Sequence, residues 1–286
     1  MATIWELDYY SRPIVDEQQK KLWEVLICES PLNVGDKSES LFRYSQFCPS
    51  STVNSLWLAA AIKEAIASSP SPPEKIRFFR RQMTNMIVKA CEELHIPAAP
   101  SRRTYALQQW LRERMEDVYP THPGFQSGLT PSVQYSSEIP QALPEALLGE
   151  KWSFVTLPVE AFEEMSEWEI EFGEAFGLEA FGLKPQTPIP GLIIFSSRAT
   201  ALAAWMSGLE LAFVTFDGGP PARLVLETGA SDRWILANLR DLSIVAEVKG
   251  FESAKVAANQ VHFLAIQSHP ESESFAGFWL LQEFNL

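Results

Sequence analysis

Hydrophobic and polar positions change period several times along this chain, and each change marks an element. Residues 3–9 (TIWELDY), 22–30 (LWEVLICES) and 41–47 (LFRYSQF) are short runs rich in β-branched and aromatic residues, and they read as three strands. Pro13 and the polar DEQQK at 16–20 separate the first two, and NVGDKSES separates the second from the third. Such short connections cannot make parallel crossovers, so an antiparallel meander is expected. The period then lengthens. Val53, Leu56, Trp57, Ala60, Ala61 and Ala65 fall at helical spacing, with Ser51 or Thr52 as the cap and SSPSPPE at 68–74 as the stop.

KIRFFRRQ, beginning at Lys75, reads as a fourth strand. Met83, Met86, Ile87, Ala90, Cys91 and Leu94 predict a helix from about Thr84 to Leu94. PAAP at 97–100 breaks the chain, and Ser101 caps a third helix that runs to about Val118. Residues 119–149 are rich in Pro, Ser and Gly and mark a boundary. The expected organisation is an N-terminal domain over 1–121, a linker over 122–150 and a C-terminal domain over 151–286.

The second part opens with the strand KWSFVTL. A helix follows with Pro158 in its first turn and an apolar stripe of Phe162, Met165, Trp168, Phe172 and Phe176. Strand LIIF, helix ATALAAWMSG, strand LELAFVTF, turn DGGPP and strand ARLVLETG come next. RWILANL, a helix or strand edge near 247–258, and the strands VHFLAIQ and FAGFWLLQEF complete the chain. No period of 20–50 residues repeats. The fold class is α+β: two mixed α/β domains, the first a three-stranded meander followed by αβα.

Composition adds little to this picture except in its charge. With 46% hydrophobic residues, nine Trp and 18 Phe, the chain can bury a large core without disulfides. Cys28, Cys48 and Cys91 form no CxxC pair, which points to buried thiols in a reducing compartment. The opening MATIWELDYYSRP has no signal or transit pattern, and no run nears the ~20 apolar residues that span a bilayer. A cytoplasmic protein without membrane insertion is therefore expected.

The net charge of -13 lies wholly in the second part. Residues 1–121 hold 15 Lys+Arg and 15 Asp+Glu, leaving 23 − 15 = 8 against 36 − 15 = 21 for the rest. Within the neutral part, Lys75 to Arg114 carries nine basic residues and three acidic ones, a surplus of +6. On the fourth strand Lys75, Arg77, Phe79 and Arg81 share one face, with Ile76 and Phe78 on the other. Arg80 adjoins them. On the third helix Leu107, Leu111, Met115 and Val118 face a core, while Arg103, Trp110 and Arg114 lie near one another on a different side. Arg102 and Tyr105 flank that group. Guanidinium groups beside aromatic rings can hold phosphates and stack bases, as binders of single-stranded nucleic acid do.

Carboxylates offer a competing chemistry. Glu6 and Asp8 share a face of the first strand, and Glu24 can join them across the meander. This order resembles that of ribonuclease H-like nucleases, whose acids bind two Mg²⁺ ions. Such a site also needs an acid on the fourth strand, and KIRFFRRQ has none. Arginines there would repel metal and attract phosphate, so the expected state is inactive, without metal or other cofactor. In the second domain Asp217 and Glu227 lack the lysine of a PD-(D/E)xK nuclease, and Asp217 fits the DGGPP turn. The four histidines make no HExxH or HxH pattern, and no nucleophile elbow is present.

Longer strings carry a resemblance. TIWELDYYSRPIVDEQQKKLWEVLIC, EKIRFFRRQM, PSRRTYALQQWLRER, PGLIIFSSRATALAAWMSGLELA and RLVLETGASDRWILANL together resemble the Tab/Atab family of cyanobacteria and chloroplasts, from about Thr3 to Asn238. That family is known through factors for translating the messenger of PsaB, a photosystem I reaction-centre subunit. The resemblance implies RNA binding, translation activation and photosystem I biogenesis without catalysis, in a cyanobacterial cytoplasm or a plastid stroma. Lys75, Arg77, Phe79, Arg80, Arg81, Arg102, Arg103, Tyr105, Trp110 and Arg114 are then the candidate RNA-binding residues, and a single-stranded mRNA leader is the candidate partner. Two alternatives stand beside this reading. One is a divergent metal-dependent nuclease. The other is an assembly factor whose acidic helix, with eight glutamates between Glu160 and Glu179, docks a ribosome or another translation factor.

Overall fold

The computed structural model describes residues 3–128 and 138–283. Contacts group these into two units. The first holds residues up to 30 and from 38 through 128; the second holds 31–37 and 138–283.

In the first unit, β1 (Ile4–Val15), β2 (Lys21–Glu29) and β3 (Arg43–Cys48) form the expected antiparallel meander, with Tyr9 opposite Val25 and Leu26 opposite Ser45. The chain continues through α1 (Ser55–Ser68), β4 (Lys75–Phe78), α2 (Thr84–Glu93), β5 (Ala98–Pro100) and α3 (Tyr105–Glu113). The sheet order is β3-β2-β1-β4-β5, and β4 and β5 run parallel to β1. Strand alternation sorts the two faces. Trp5, Leu7, Tyr9, Val25 and Ile27 pack with Leu58, Ile62 and Ile87 of α1 and α2. The opposite face gives Leu26, Cys28 and Phe79 to Ala106, Leu107 and Trp110 of α3. The three cysteines are buried and unbridged.

Several boundaries differ from the pattern-based expectation. β1 runs through Pro13 to Val15, because a register shift after Ser11 removes the need for a ladder donor there. The cap of α1 is Asn54, whose Oδ1 accepts the Trp57 amide at 2.8 Å; Ser51 and Thr52 lie in a preceding 3₁₀ turn. PAAP supplies the edge strand β5, where prolines are tolerated. α3 starts at Tyr105 and widens into a π turn over Arg114–Val118. Ser101 is not its cap. The carboxylate of Glu6 performs that role from the neighbouring strand, accepting the Leu107 amide at 2.7 Å.

The second unit comprises β6 (Gln141–Ala142), β7 (Lys151–Pro158), β8 (Ile170–Glu174), β9 (Pro188–Phe195), α4 (Ala199–Ser207), β10 (Leu211–Asp217), β11 (Arg223–Thr228), β12 (Asp232–Asn238), α5 (Leu242–Ala257), β13 (Val261–Gln267) and β14 (Phe275–Gln282). Two sheets, β7-β9-β13-β14-β8 and β10-β11-β12-β6, pack with α4 and α5 around Leu192, Leu202, Met206, Val214, Leu226, Phe251 and Leu264. The class is α+β. RWILANL is a strand and 242–257 a helix.

The acidic segment is not one helix. Val159–Glu167 winds as 3₁₀ turns, Ile170–Glu174 is β8, and Leu178–Phe181 is another 3₁₀ turn. Trp168, Ile170 and Phe172 alternate with the exposed Glu169, Glu171 and Gly173. A spacing of four fits both periods, and pairing of Phe172 opposite Gly277 of β14 selects the strand. No helix among the described residues is long and apolar enough to cross a membrane.

Candidate nucleic-acid site

The face of the first sheet that meets α3 carries charge as well as apolar side chains. Asp8 on β1 and Glu24 on β2 are both fully covered, and the guanidinium of Arg12 lies between them. Arg12 donates to Asp8 at 2.8 Å and to Glu24 at 2.9 Å. Asp8 also accepts from Arg80 Nε at 2.5 Å. Glu24 accepts from Arg114 and, at 2.5 Å, from the Tyr119 hydroxyl. Burial by itself would raise the Asp8 carboxyl, but the charges of Arg80 and Arg12 and their hydrogen bonds outweigh it and hold Asp8 below the usual carboxylate range. Tyr119 is pushed upward by burial and stays protonated as a donor.

Aromatic rings complete the arrangement. Arg80 lies 4.1 Å from the Tyr10 ring centroid, and Arg43 and Arg114 lie 5.3 and 5.6 Å from that of Trp110. Each distance is within cation–π reach. Arg43 also pairs with Glu113 at 3.0 Å. Arg12 and Arg43 fall outside the basic segment, so charge counting missed both. The available signal for Arg12 was parity: it is four residues beyond Asp8 on one strand and so shares its face.

The ten candidate residues divide by exposure. Arg81 is exposed in the turn after β4, and Lys75 is half-buried opposite Ile4. Arg114 keeps 12% of its side chain exposed. Arg77, Phe79, Arg80, Arg102, Arg103, Tyr105 and Trp110 are buried. The predicted alternation holds through Phe79, since Ile76 and Phe78 join the α1–α2 core and Phe79 the α3 side. Arg77 pairs in register with Glu6. Arg114 meets Trp110 as expected, while Arg103 lies 5.5 Å from Tyr105. Topology gathers two arginine pairs: Arg80–Arg81 follows β4 and Arg102–Arg103 follows β5, at the carboxyl ends of adjacent parallel strands. In open α/β sheets, ligands bind at such ends.

The second unit repeats the pattern of an arginine between acids. Arg233 donates to Glu227 at 2.7 Å and approaches Asp217 at 3.7 Å. Asp217 also accepts the Gly219 amide, as a turn residue does. His262 is buried and its pKa falls well below the usual value through burial and the nearby Lys255 charge; its Nε2 accepts the Val214 amide. Among the described residues no group of three or more His, Cys, Asp or Glu side chains is arranged to hold a metal ion. What both carboxylate pairs hold is a guanidinium.

Comparison with known proteins agrees with the strings singled out above. Residues 4–114 match the family described as RNA-binding protein Tab2/Atab2 N terminal, and residues 130–282 match RNA-binding protein Tab2/Atab2, C-terminal domain. The chain is 41% identical over 284 residues to Protein TAB2 homolog, chloroplastic, of Arabidopsis thaliana, covering 97% of this chain and 74% of that one. It is 40% identical to the Zea mays protein of the same description, covering 97% and 70%. With both units matched and relatives aligned along nearly its whole length, the chain belongs to the Tab2/Atab2 family of RNA-binding proteins.

Proposed function

We propose that this protein binds single-stranded RNA without cutting it, and that binding promotes translation of the mRNA for a photosystem I reaction-centre subunit. Family membership supports RNA as the partner. The non-catalytic part of the reading rests on one observation: Arg12 lies between Asp8 and Glu24. A guanidinium bonded to both carboxylates occupies the volume and satisfies the charge that a divalent ion would need. The same geometry disfavours the nuclease alternative.

RNA phosphates are held at the carboxyl ends of β4 and β5. Arg81 contacts them directly, Arg114 does so at its exposed edge, and Lys75, at the amino end of β4, holds a separate phosphate further along the RNA. Arg77, Arg80, Arg102 and Arg103 stand behind and raise the local potential. Phe79, Tyr105 and Trp110 are packed, so they support this surface instead of stacking bases. The setting is a plastid stroma, as the chloroplastic relatives suggest, or a cyanobacterial cytoplasm, and the ribosome or other translation factors act alongside.

Salt titration of binding to a single-stranded oligoribonucleotide tests the assignment. Each phosphate neutralised on a single strand contributes about 0.7 to the slope of log K against log salt. Lys75→Ala with Arg81→Ala is expected to lower the slope by about 1.4 and weaken binding, with far-ultraviolet dichroism unchanged. An unaltered slope and affinity would remove these two residues from the interface.

A further inference from the structure

The arginine–carboxylate network of the first unit does not end in the core. It runs outward as Arg80, Asp8, Arg12, Glu24 and Arg114, each bonded to the next. The Trp110 ring then joins Arg114 to Arg43, and Arg43 pairs with Glu113. Side-chain exposure rises along this path, from 0% at Asp8 and Glu24 through 12% at Arg114 and 20% at Arg43 to 38% at Glu113. Along this path four guanidinium groups face three carboxylates, a surplus of one positive charge among its members.

The hydrogen bonds are short of acceptors on the same path. Nε and Nη2 of Arg43 and Nε of Arg114 are buried donors with no acceptor among the described residues. Buried donors are normally satisfied, and three close to one indole ring are an exception that calls for an acceptor. Trp110 and Arg114 also flank the passage from α3 into its π turn at Arg114–Val118. Turns of this kind are frequent at functional sites.

We infer that Arg43 and Arg114, seated against Trp110, form a binding site for one RNA backbone phosphodiester, and that Glu113 is a latch occupying Arg43 until RNA arrives. A phosphodiester carries a single negative charge, which matches that surplus. Its two free oxygens are acceptors of the kind the guanidinium groups require, and arginine presents donors in a fork that matches them. Glu113 is the most exposed member and belongs to α3 rather than to the sheet, so its carboxylate can leave Arg43 without disturbing the Arg12 core. The inference rests on the RNA-binding reading and adds to it a specific phosphate site, with Arg43 as a contact residue outside the basic segment.

The test uses the full chain with two variants, Arg43→Gln and Glu113→Gln, and two probes, a single-stranded oligoribonucleotide and inorganic phosphate. With RNA the variants are expected to move in opposite directions. Arg43→Gln loses about 0.7 of salt slope, which is about 2.6-fold less sensitivity across a fourfold change in salt, and binds more weakly. Glu113→Gln binds more tightly, because the latch is gone. If the Arg43–Glu113 pair only braced α3 against β3, both variants would weaken binding and lower the melting temperature together, and the inference would be overturned. Equal affinity in both variants and the parent would also overturn it. Phosphate separates this failure from that of the broader reading. At matched ionic strength it should raise the melting temperature of the parent and of Glu113→Gln more than that of Arg43→Gln. That result without RNA binding would keep the anion site and remove RNA as its ligand; absence of both responses would remove the site.

Discussion

Arg12 illustrates how a single side chain determines what this sheet can do. It is 1% exposed and bonded to two carboxylates that are themselves fully covered. Breaking a buried ion pair by deleting one partner leaves an uncompensated charge and costs about 3–5 kcal/mol. Arg12→Ala is therefore expected to lose about that much stability in urea unfolding at neutral pH. The pH dependence has a definite sign. The Asp8 carboxyl is held below its ordinary value in the folded state, first against burial by Arg80 and then by Arg12. The unfolded chain binds the proton more readily, so the stability from Asp8 is present above its unfolded pKa of about 3.9 and is lost as pH falls through the folded value. The deficit of Arg12→Ala should consequently narrow in acid, and a deficit independent of pH would contradict the ionic account. The strand expected from sequence ends at Tyr9, so the shared face of Asp8 and Arg12 emerges only once β1 runs on to Val15. Their contact required the register of β2, which no local pattern specifies.

Among the elements, α3 depends most on its neighbours. Its own flanking residues give no side-chain cap, and Glu6 of β1 accepts the Leu107 amide in their place while also accepting from Ser30 at 2.6 Å. Glu6→Ala should uncap the helix at a cost of about 1–3 kcal/mol, the penalty of leaving a buried donor unsatisfied. Hydrogen exchange should then quicken first in the α3 amides; uniform acceleration across both units would show that the cap is not the operative loss. This dependence explains why the expected cap at Ser101 was misplaced: a trans cap 101 residues away has no local signature. The meander, the helix over 84–93 and the terminal strands were legible because period, turn residues and tertiary pairing agree there. The acidic segment was misread because Trp168, Phe172 and Phe176 stand four apart, a spacing that both helix and strand satisfy. Only pairing beside β14 decides between them.

Across the whole molecule, the neutral first part and the acidic second part have different consequences. Of the +6 read from the basic segment, much is spent inside the first unit on bonds such as Arg80 to Asp8 and Arg114 to Glu24. On the proposed reading, the surface offered to RNA is correspondingly smaller than charge counting suggested, and comprises Lys75, Arg81 and the edge formed by Arg43 and Arg114. An acidic second part disfavours indiscriminate coating of nucleic acid, which leaves contact to a restricted positive surface. The missing acid on the fourth strand was visible in the sequence; the arginine bonded to both Asp8 and Glu24 was not.

The central claim is that this protein holds RNA and does not cut it. Its most direct measurement incubates end-labelled single-stranded RNA with the full chain in Mg²⁺ or Mn²⁺, then resolves bound fraction and RNA length in parallel. Full-length RNA retained in a salt-sensitive complex is the predicted result. Shortened products that disappear with Asp8→Asn would contradict it.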